Sequence, residues 1–426
     1  MSSAESHSKT RLGGLDFQSP ANRLALVYSF WDGIFANGMV ALTETFGTAA
    51  AVRLHAPNWL IPLLTALPLL IGAAGQFILP YFTHPEKGRK IYVLLGVRLQ
   101  ALGFFLCGFM GFLPASMAAY AFAALFILGM VFGNSISSYW MVWISDLVPV
   151  TLRGRHFAWR SIFFAWANLS CSLIAGVVAR NYHTETAPWL LFAGVFAVSG
   201  LFRFISSECI RRQGESIQAE LRPAQTLWTL HRFRPPVGLT PYAISTALFQ
   251  GSAALASPFF NVWFLRDLNF SYLSLAISTS CTVLGSILSL RIWGRLADKR
   301  SNLWVLRLSA LLIIFIPWPY LVLHTPQSIW FVNIFGGICW GGYNLANFNC
   351  LLDVAGKERK IQSIAYASVI TGISLTVFGL LGGWLADHLP LLFSYSLQSM
   401  FLVSGLLRVL FWVLLISRLK PPLNQA

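Results

Sequence analysis

The sequence predicts an all-α integral membrane protein with twelve transmembrane helices in two pseudo-symmetric six-helix bundles. Three observations carry that prediction. Of 426 residues, 56% are hydrophobic and only 11% are charged, against about 25% charged in soluble domains. The apolar residues gather into twelve runs of about 20 residues, the length that crosses a bilayer as a helix. The chain also repeats itself. Val198-Ser199-Gly200-Leu201-Phe202-Arg203 returns as Val403-Ser404-Gly405-Leu406-Leu407-Arg408, and Arg98-Leu99-Gln100-Ala101-Leu102 as Arg307-Leu308-Ser309-Ala310-Leu311. Phe30-Trp31-Asp32-Gly33 answers more weakly to Leu248-Phe249-Gln250-Gly251, and Asp146 precedes Gly176 by the interval that separates Asp353 from Gly383. A half written twice in apolar sequence is a duplicated membrane bundle, with a site expected between the copies.

Six spans are expected in residues 1–205, at roughly 24–50, 57–81, 91–113, 117–144, 158–180 and 187–205. Six more fall in 237–426, at roughly 237–264, 271–292, 303–323, 327–351, 361–386 and 394–417. Residues 206–236 form the one long polar connection, with Arg211-Arg212 and Pro235-Pro236, and read as a cytoplasmic linker. A short amphipathic helix around Ala219–His231 would suit the membrane surface. The other loops are short, so neighbouring spans run antiparallel. Pro62, Pro68, Pro80, Pro258, Pro317 and Pro319 fall in or at the ends of spans and are expected to bend or end helices. Gly72, Ala73 and Gly75, and likewise Gly379, Gly382 and Gly383, have the spacing of close helix packing.

The net charge of +15 points to topology rather than to nucleic acid. With the N-terminus cytoplasmic, every Lys and Arg falls on the cytoplasmic side or in the cytoplasmic half of a span, except Arg53, Arg180 and Arg266. That asymmetry orients membrane proteins, and the basic loops would also meet anionic lipid head groups. No polar segment is long enough for a soluble basic domain. Five of six cysteines lie in spans and Cys209 in a loop, with no Cys-x-x-Cys, so neither a disulfide framework nor a metal site is expected. The first twenty residues are polar, so no cleaved leader is expected. These features predict a multi-pass protein of the cytoplasmic (inner) membrane, with both termini cytoplasmic.

Between spans eight and nine stands Gly294-Arg295-Leu296-Ala297-Asp298-Lys299-Arg300-Ser301-Asn302-Leu303. It resembles the signature loop of the major facilitator superfamily, Gly-x-Leu-Ala-Asp-Arg-x-Gly-Arg-Lys. The equivalent place between spans two and three holds Tyr81-Phe82-Thr83-His84-Pro85-Glu86-Lys87-Gly88-Arg89-Lys90, where only the Gly-Arg-Lys end survives. The resemblance implies two bundles joined by a cytoplasmic linker, a central cavity lined mainly by spans 1, 4, 7 and 10, and alternating access by rocking of the halves. In that setting Gly294 would let helices approach, and Asp298 would latch the cytoplasmic side by accepting bonds from backbone donors and basic side chains. Asp146 with Arg153, and Asp353 with Lys360, repeat a carboxylate followed seven positions on by a base. They would join the same gate with Arg89, or act simply as helix caps. The family's drug/proton antiporters usually carry an Arg in span four and a Gly-Pro motif in span five. Phe126–Trp143 has no Arg and Asn168–Ala179 no Pro, which weighs against that branch.

Asp32 is the sharpest candidate within a span. It lies about 12 Å deep if its helix starts at Leu24, where an unpaired carboxylate costs at least ~3 kcal/mol. It must take a proton, meet a cationic substrate, or pair with a neighbouring helix, for which Arg98 is the expected partner. Glu44, nearer the outer end, is either a second such group or an interfacial residue. Arg98, Arg307, Arg203 and Arg408 recur by duplication and read as structural. The polar side chains Asn37, Asn134, Tyr139, Trp140, Gln250, Asn261, Asn344 and Asn347 cannot face lipid cheaply. They line a cavity or bond between helices, and amides with aromatics suit a polar or amphipathic organic solute. Asn344 and Asn347 are expected on one face.

These readings point to a secondary active transporter of a small organic solute, coupled to protons through Asp32. Drug or metabolite efflux by antiport and a non-transporting receptor on the same fold stay open. An enzyme is not expected, since no His cluster, Ser/His/Asp grouping or nucleotide loop is present and His84, His156, His183 and His324 are scattered. No cofactor, metal or nucleic acid is expected. The partners are the solute, protons and lipid, and the chain is expected to act as a monomer.

Overall fold

The computed structural model describes residues 20–82, 90–147, 153–183, 186–213, 234–355 and 360–419. Among the described residues thirteen α-helices form twelve spans. In the first half these are α1 (Pro20–Arg53), α2 (Leu63–Phe82), α3 (Lys90–Cys107), α4 (Ala115–Leu147), α5 (Arg153–Val178) and α6 (Trp189–Arg212). In the second half they are α7 (Leu239–Ala254) with α8 (Ser257–Arg266), then α9 (Tyr272–Lys299), α10 (Asn302–Ile313), α11 (Pro326–Val354), α12 (Lys360–His388) and α13 (Ser396–Leu414). Over the described residues, eight of the helices are long and apolar enough to cross a membrane.

The two bundles repeat one packing scheme. In the first, α1 packs on α5 and α6, α3 on α4 and α6, and α2 on α4. In the second, α7 packs on α12 and α13, α10 on α11 and α13, and α9 on α11. Small residues set these distances. Gly72 and Gly75 of α2 lie against Asn134 and Ser135 of α4, the packing role expected for them.

Several span ends differ from the expected ones for local reasons. The seventh span is two helices, because Pro258 cannot donate to the turn before it and Gly382 of α12 presses against the Leu255 carbonyl at the break. In the ninth span α10 stops at Ile313, and the chain then passes through a 3-10 turn, Pro319–Leu321. Residues 57–62, expected inside span two, form turns before Leu63. The sixth helix runs on to Arg212, into the expected linker, and the segment 219–231 lies outside the described residues.

Among the described residues the bundles meet at one end. That end is where α1, α5 and α12 finish and α2 and α9 begin; we term it distal, and the end near the N-terminus proximal. Antiparallel α2 and α12 form one seam and α5 and α9 the other. A Cβ on Gly372 would stand 2.8 Å from the Leu70 Cα, and one on Gly383 2.7 Å from the Trp59 Cα. Across the second seam, a Cβ on Gly176 would stand 2.5 Å from the Ala276 Cβ. Gly176 and Gly383 are the equivalent glycines of the duplication, so each bundle contributes one to the other's seam. Aromatic contacts add to the closure: Tyr272 of α9 lies 6.1 Å from Phe46 and 5.6 Å from Phe192, centroid to centroid.

Gly383→Val sets a methyl against backbone that cannot yield, so the α2–α12 seam must part. Distal-side maleimide labelling of a cysteine at Ala73, in the gap behind that seam, is expected to rise severalfold over the same cysteine in the parent. Unchanged labelling would show that the seam does not seal this end.

Candidate functional site

A cavity of about 320 Å3 lies between the bundles, behind the Leu70–Gly372 contact. Its polar lining is Gln76 and Asn134 from the first half and Tyr242, Thr246, Gln250, Asn347, Ser368 and Thr371 from the second. Leu69, Ala73, Leu351 and Leu375 supply apolar wall. Neighbouring bonds hold several of these side chains. Tyr242 donates to Asn347 Oδ1 at 2.7 Å, which fixes that amide's orientation. Gln76 Nε2 donates to the Asn134 carbonyl at 2.7 Å and to Ser137 Oγ at 2.9 Å. Asn134 Nδ2 reaches the Pro68 carbonyl at 3.3 Å. The volume falls in the range of small-molecule sites.

Three of the expected cavity residues, Asn134, Gln250 and Asn347, thus meet in one place. The first span contributes none of the lining. Asn37 is tied to the Gly33 carbonyl of its own helix at 2.8 Å, Glu44 is exposed, and Asn261 is half-buried on α8. Asn344 is exposed rather than beside Asn347 in the lining, since three residues along a helix leave two side chains some 60° apart. The side chain of Tyr139 lies outside the described residues. Tyr242, Thr246, Gln76, Ser368 and Thr371 were not anticipated. Ser368, Thr371 and Leu375 stand at i, i+3 and i+7, a helical stripe present in the sequence but unremarkable among many serines and threonines.

Asp32 is buried at 2% exposure and turned away from the cavity into its own bundle. Its carboxylate accepts from Ser206 Oγ at 2.6 Å and from Trp140 Nε1 at 3.0 Å. The positive charges acting on it are Arg203 and Arg160. Arg203 also donates to Ser206 Oγ at 3.1 Å and to Gln100 Oε1 at 2.7 Å. Arg160 is buried, stacks 4.5 Å over the rings of Trp140 and Phe164, and donates to the Ser29 carbonyl at 3.0 Å. One carboxylate therefore ties together spans one, three, four, five and six. The expected partner, Arg98, is exposed and pairs instead with half-buried Glu208 at 2.9 Å, because Ser206 and Arg203 on the same helix α6 already fill the space beside Asp32.

Every described hydrogen bond between the bundles lies at the distal end. Asn58 donates to Asp387 Oδ1 at 2.6 Å and accepts from Arg266 Nη1 at 2.8 Å. Arg266 also donates to the Ala56 carbonyl at 3.1 Å, and the His183 ring meets the Asn269 carbonyl at 3.1 Å. At the proximal end Asp298 is exposed, with no bond to any described residue, and a Cβ at Gly294 would meet nothing within 4 Å. Close packing is therefore not what Gly294 provides in this state. Asp353 accepts weakly from Asn302 at 3.5 Å within its own bundle. Arg89 and the side chains of Asp146 and Arg153 lie outside the described residues.

Twelve spans, two repeated bundles and a polar cavity between them define a polytopic membrane protein built like a transporter. The family model "Major Facilitator Superfamily" matches residues 24–358 and again 242–426. The chain belongs to that superfamily. Among solved structures it is similar to a bacterial homologue of the human lysosomal transporter Spinster in an inward-facing, unoccupied conformation. The TM-score is 0.71 at 12% identity, covering 96% of this chain and 99% of that one. It is similar also to the xylose transporter XylE of E. coli in its inward-open conformation, with TM-score 0.68, 14% identity, and coverage of 94% and 96%. The nucleoside transporter NupG gives TM-score 0.66 and 13% identity, with coverage of 94% and 100%. No curated protein matches the chain in sequence.

Removing one partner of a buried charge cluster costs about 3–5 kcal/mol, whereas an exposed pair contributes little. Asp32→Asn is expected to lower the thermal midpoint of the purified protein by several degrees, and Glu208→Gln to leave it within about a degree of the parent. Equal shifts in the two variants would show that the Asp32 cluster carries no special load.

Proposed function

We propose that the protein is a secondary active transporter that moves a small organic solute across the cytoplasmic membrane by alternating access. The observation that carries this reading is the geometry of the cavity: its walls come from both bundles, and among the described residues the hydrogen bonds and close backbone contacts between the bundles lie on its distal side. A solute bound there touches both halves, so its binding energy bears on their relative position. The distal seams must part, and the proximal ends must meet, for the solute to reach the other side.

The proximal end is taken as cytoplasmic, since the basic residues gather there, and the structure is then an inward-facing state. In the alternate state Asp298, with Arg89, Asp146, Arg153 and Asp353, would form the cytoplasmic latch, and Gly294 would take a helix against it. The free Asp298 and the open space at Gly294 fit a latch that is undone when the distal side is shut. The bundles would divide near residues 206–236, and the chain would work as a monomer. The lining offers amides and hydroxyls to hold a solute, without the paired acid and base that catalysis would need.

Proton coupling is assigned to Asp32. Protonating it would leave Arg203 and Arg160 facing a neutral group and release the tie from span one to spans four and six. A change of charge at one atom would thereby loosen the helix that packs on α8 and α9 at the distal seam.

In proteoliposomes, a solute that stabilises the purified protein is expected to enter saturably. An imposed proton gradient should accelerate that entry, and Asp32→Asn should uncouple flux from pH. Binding without saturable flux would make the protein a receptor, and pH-dependent flux surviving in Asp32→Asn would move the proton elsewhere. Cysteines at Arg300 and Pro114 are expected to label from the cytoplasmic and external faces respectively; labelling from one face would overturn the orientation.

A further inference from the structure

We infer, on the reading that this cavity binds the transported solute, that the solute is uncharged, of one or two small rings, and carries several hydroxyl or amide groups beside an apolar face. The charges of this protein lie elsewhere. Asp32, Arg160 and Arg203 are spent on one another inside the first bundle. Arg266, Asn58 and Asp387 are spent on the distal closure. Among the described residues that line the cavity, none is an Asp, Glu, Lys, Arg or His. A solute ion entering this space would shed water and find no opposite charge, which disfavours it strongly.

The capacity left over in the lining is mixed. Asn347 accepts from Tyr242 and keeps its amide hydrogens without a partner among the described residues. Gln76 and Asn134 use their amide nitrogens as donors to neighbouring oxygens and keep their own side-chain oxygens as acceptors. Ser368 and Thr371 add two hydroxyls one helical turn apart on α12. Donors and acceptors interleaved in this way match a group that does both, which a hydroxyl or a primary amide does and an ammonium or carboxylate does not. Leu69 and Ala73 on one wall and Leu351 and Leu375 on another leave apolar surface for a ring face. Six of the eight polar side chains come from the second bundle, so that half does most of the recognition. Gln76 and Asn134 would complete the site from the other side.

The test compares neutral and charged probes of one size on the full-length purified protein. D-glucose, myo-inositol and uridine serve as neutral probes, D-glucosamine as cation and D-glucuronate as anion, with binding read from the concentration dependence of the thermal midpoint. At least one neutral probe is expected to bind saturably, and its charged counterparts at least tenfold more weakly. Asn347→Leu and Thr371→Val should each weaken it about tenfold, the loss of one hydrogen bond. Asn347→Asp should turn the preference towards D-glucosamine. Two substitutions on different helices guard against one that disturbs folding, and the ligand-free midpoint shows which has done so. Tighter binding of either charged probe by the parent, or failure of all three neutral probes to bind, overturns the inference. Flux of a charged solute through the cavity would also overturn it while leaving the transporter reading intact. A neutral probe that binds but does not exchange across proteoliposomes would sink the transporter reading and leave the inference standing.

Discussion

The close approach of two antiparallel helix pairs at one end of the molecule is the constraint on which the rest depends. Helices gain no hydrophobic driving force from meeting inside lipid, so they associate by packing where small side chains let backbones touch. Gly372 and Gly383 on α12, and Gly176 on α5, bring the opposing backbones or side chains within a methyl's reach. Because the seams lie at the distal end, the space behind them is walled by both bundles. The cavity is a consequence of where the glycines are, as much as of the polar residues that line it. The bonds of Asn58 with Asp387 and Arg266 then fix the seam at its rim. An amide suits that position because it donates to a carboxylate and accepts from a guanidinium at once, without adding a charge of its own.

The two bundles are alike in packing and unlike in chemistry. Phe30-Trp31-Asp32-Gly33 and Leu248-Phe249-Gln250-Gly251 occupy equivalent places, yet Asp32 anchors a charge cluster inside its bundle while Gln250 lines the cavity. Arg203 sits within that cluster, but its counterpart Arg408 is buried against the Ile313 carbonyl. A buried carboxylate is tolerable only where donors converge, and the first bundle supplies Ser206, Trp140, Arg203 and Arg160. The second bundle keeps the guanidinium without the carboxylate and puts neutral amides and hydroxyls where a solute can reach them. The repeat gives two copies of one scaffold; the buried carboxylate cluster lies in the first, and six of the eight polar side chains of the cavity lining come from the second.

Much of this was legible in the sequence, and the parts that were not share a cause. The twelve spans follow from apolar run length, and the matching packing of the bundles from the repeats, because both are local or periodic signals. Arg53 and Arg266 stood out as basic residues on the wrong side. The structure gives each a fixed partner, the Ala187 carbonyl for one and Asn58 for the other. The break at Leu255 needed Gly382 from a distant span as well as the nearby Pro258. The partner of Asp32 is hidden in the sequence because the apolar run of span six ends at 205, one residue short of Ser206, whereas the helix continues to Arg212. The cavity was placed on spans 1, 4, 7 and 10, whereas its lining comes from spans 2, 4, 7, 10 and 11. Which face of a helix looks inward depends on the rotation the seams impose, and no window of sequence contains that.

Span ten shows how a polar span is kept in the membrane. Its helix α11 has 29 residues, yet it is not among the described helices that are apolar enough to cross a membrane. Asn333, Asn344, Asn347 and Asn349, with Gly336, Gly337, Gly341 and Gly342, lower its hydropathy. Polar side chains and glycines weaken a span's affinity for lipid, so such a helix is stable when other helices surround it. Span ten is held against α9 by Gly337 and Gly341 and by the Trp293 bond to the Ile338 carbonyl, and α9 is itself one of the strongly apolar spans. The apolar helix therefore holds the polar one, and the polar one brings Asn347 to the cavity wall. A substitution that made span ten more apolar would ease its insertion and, by the same change, take polar groups away from the cavity.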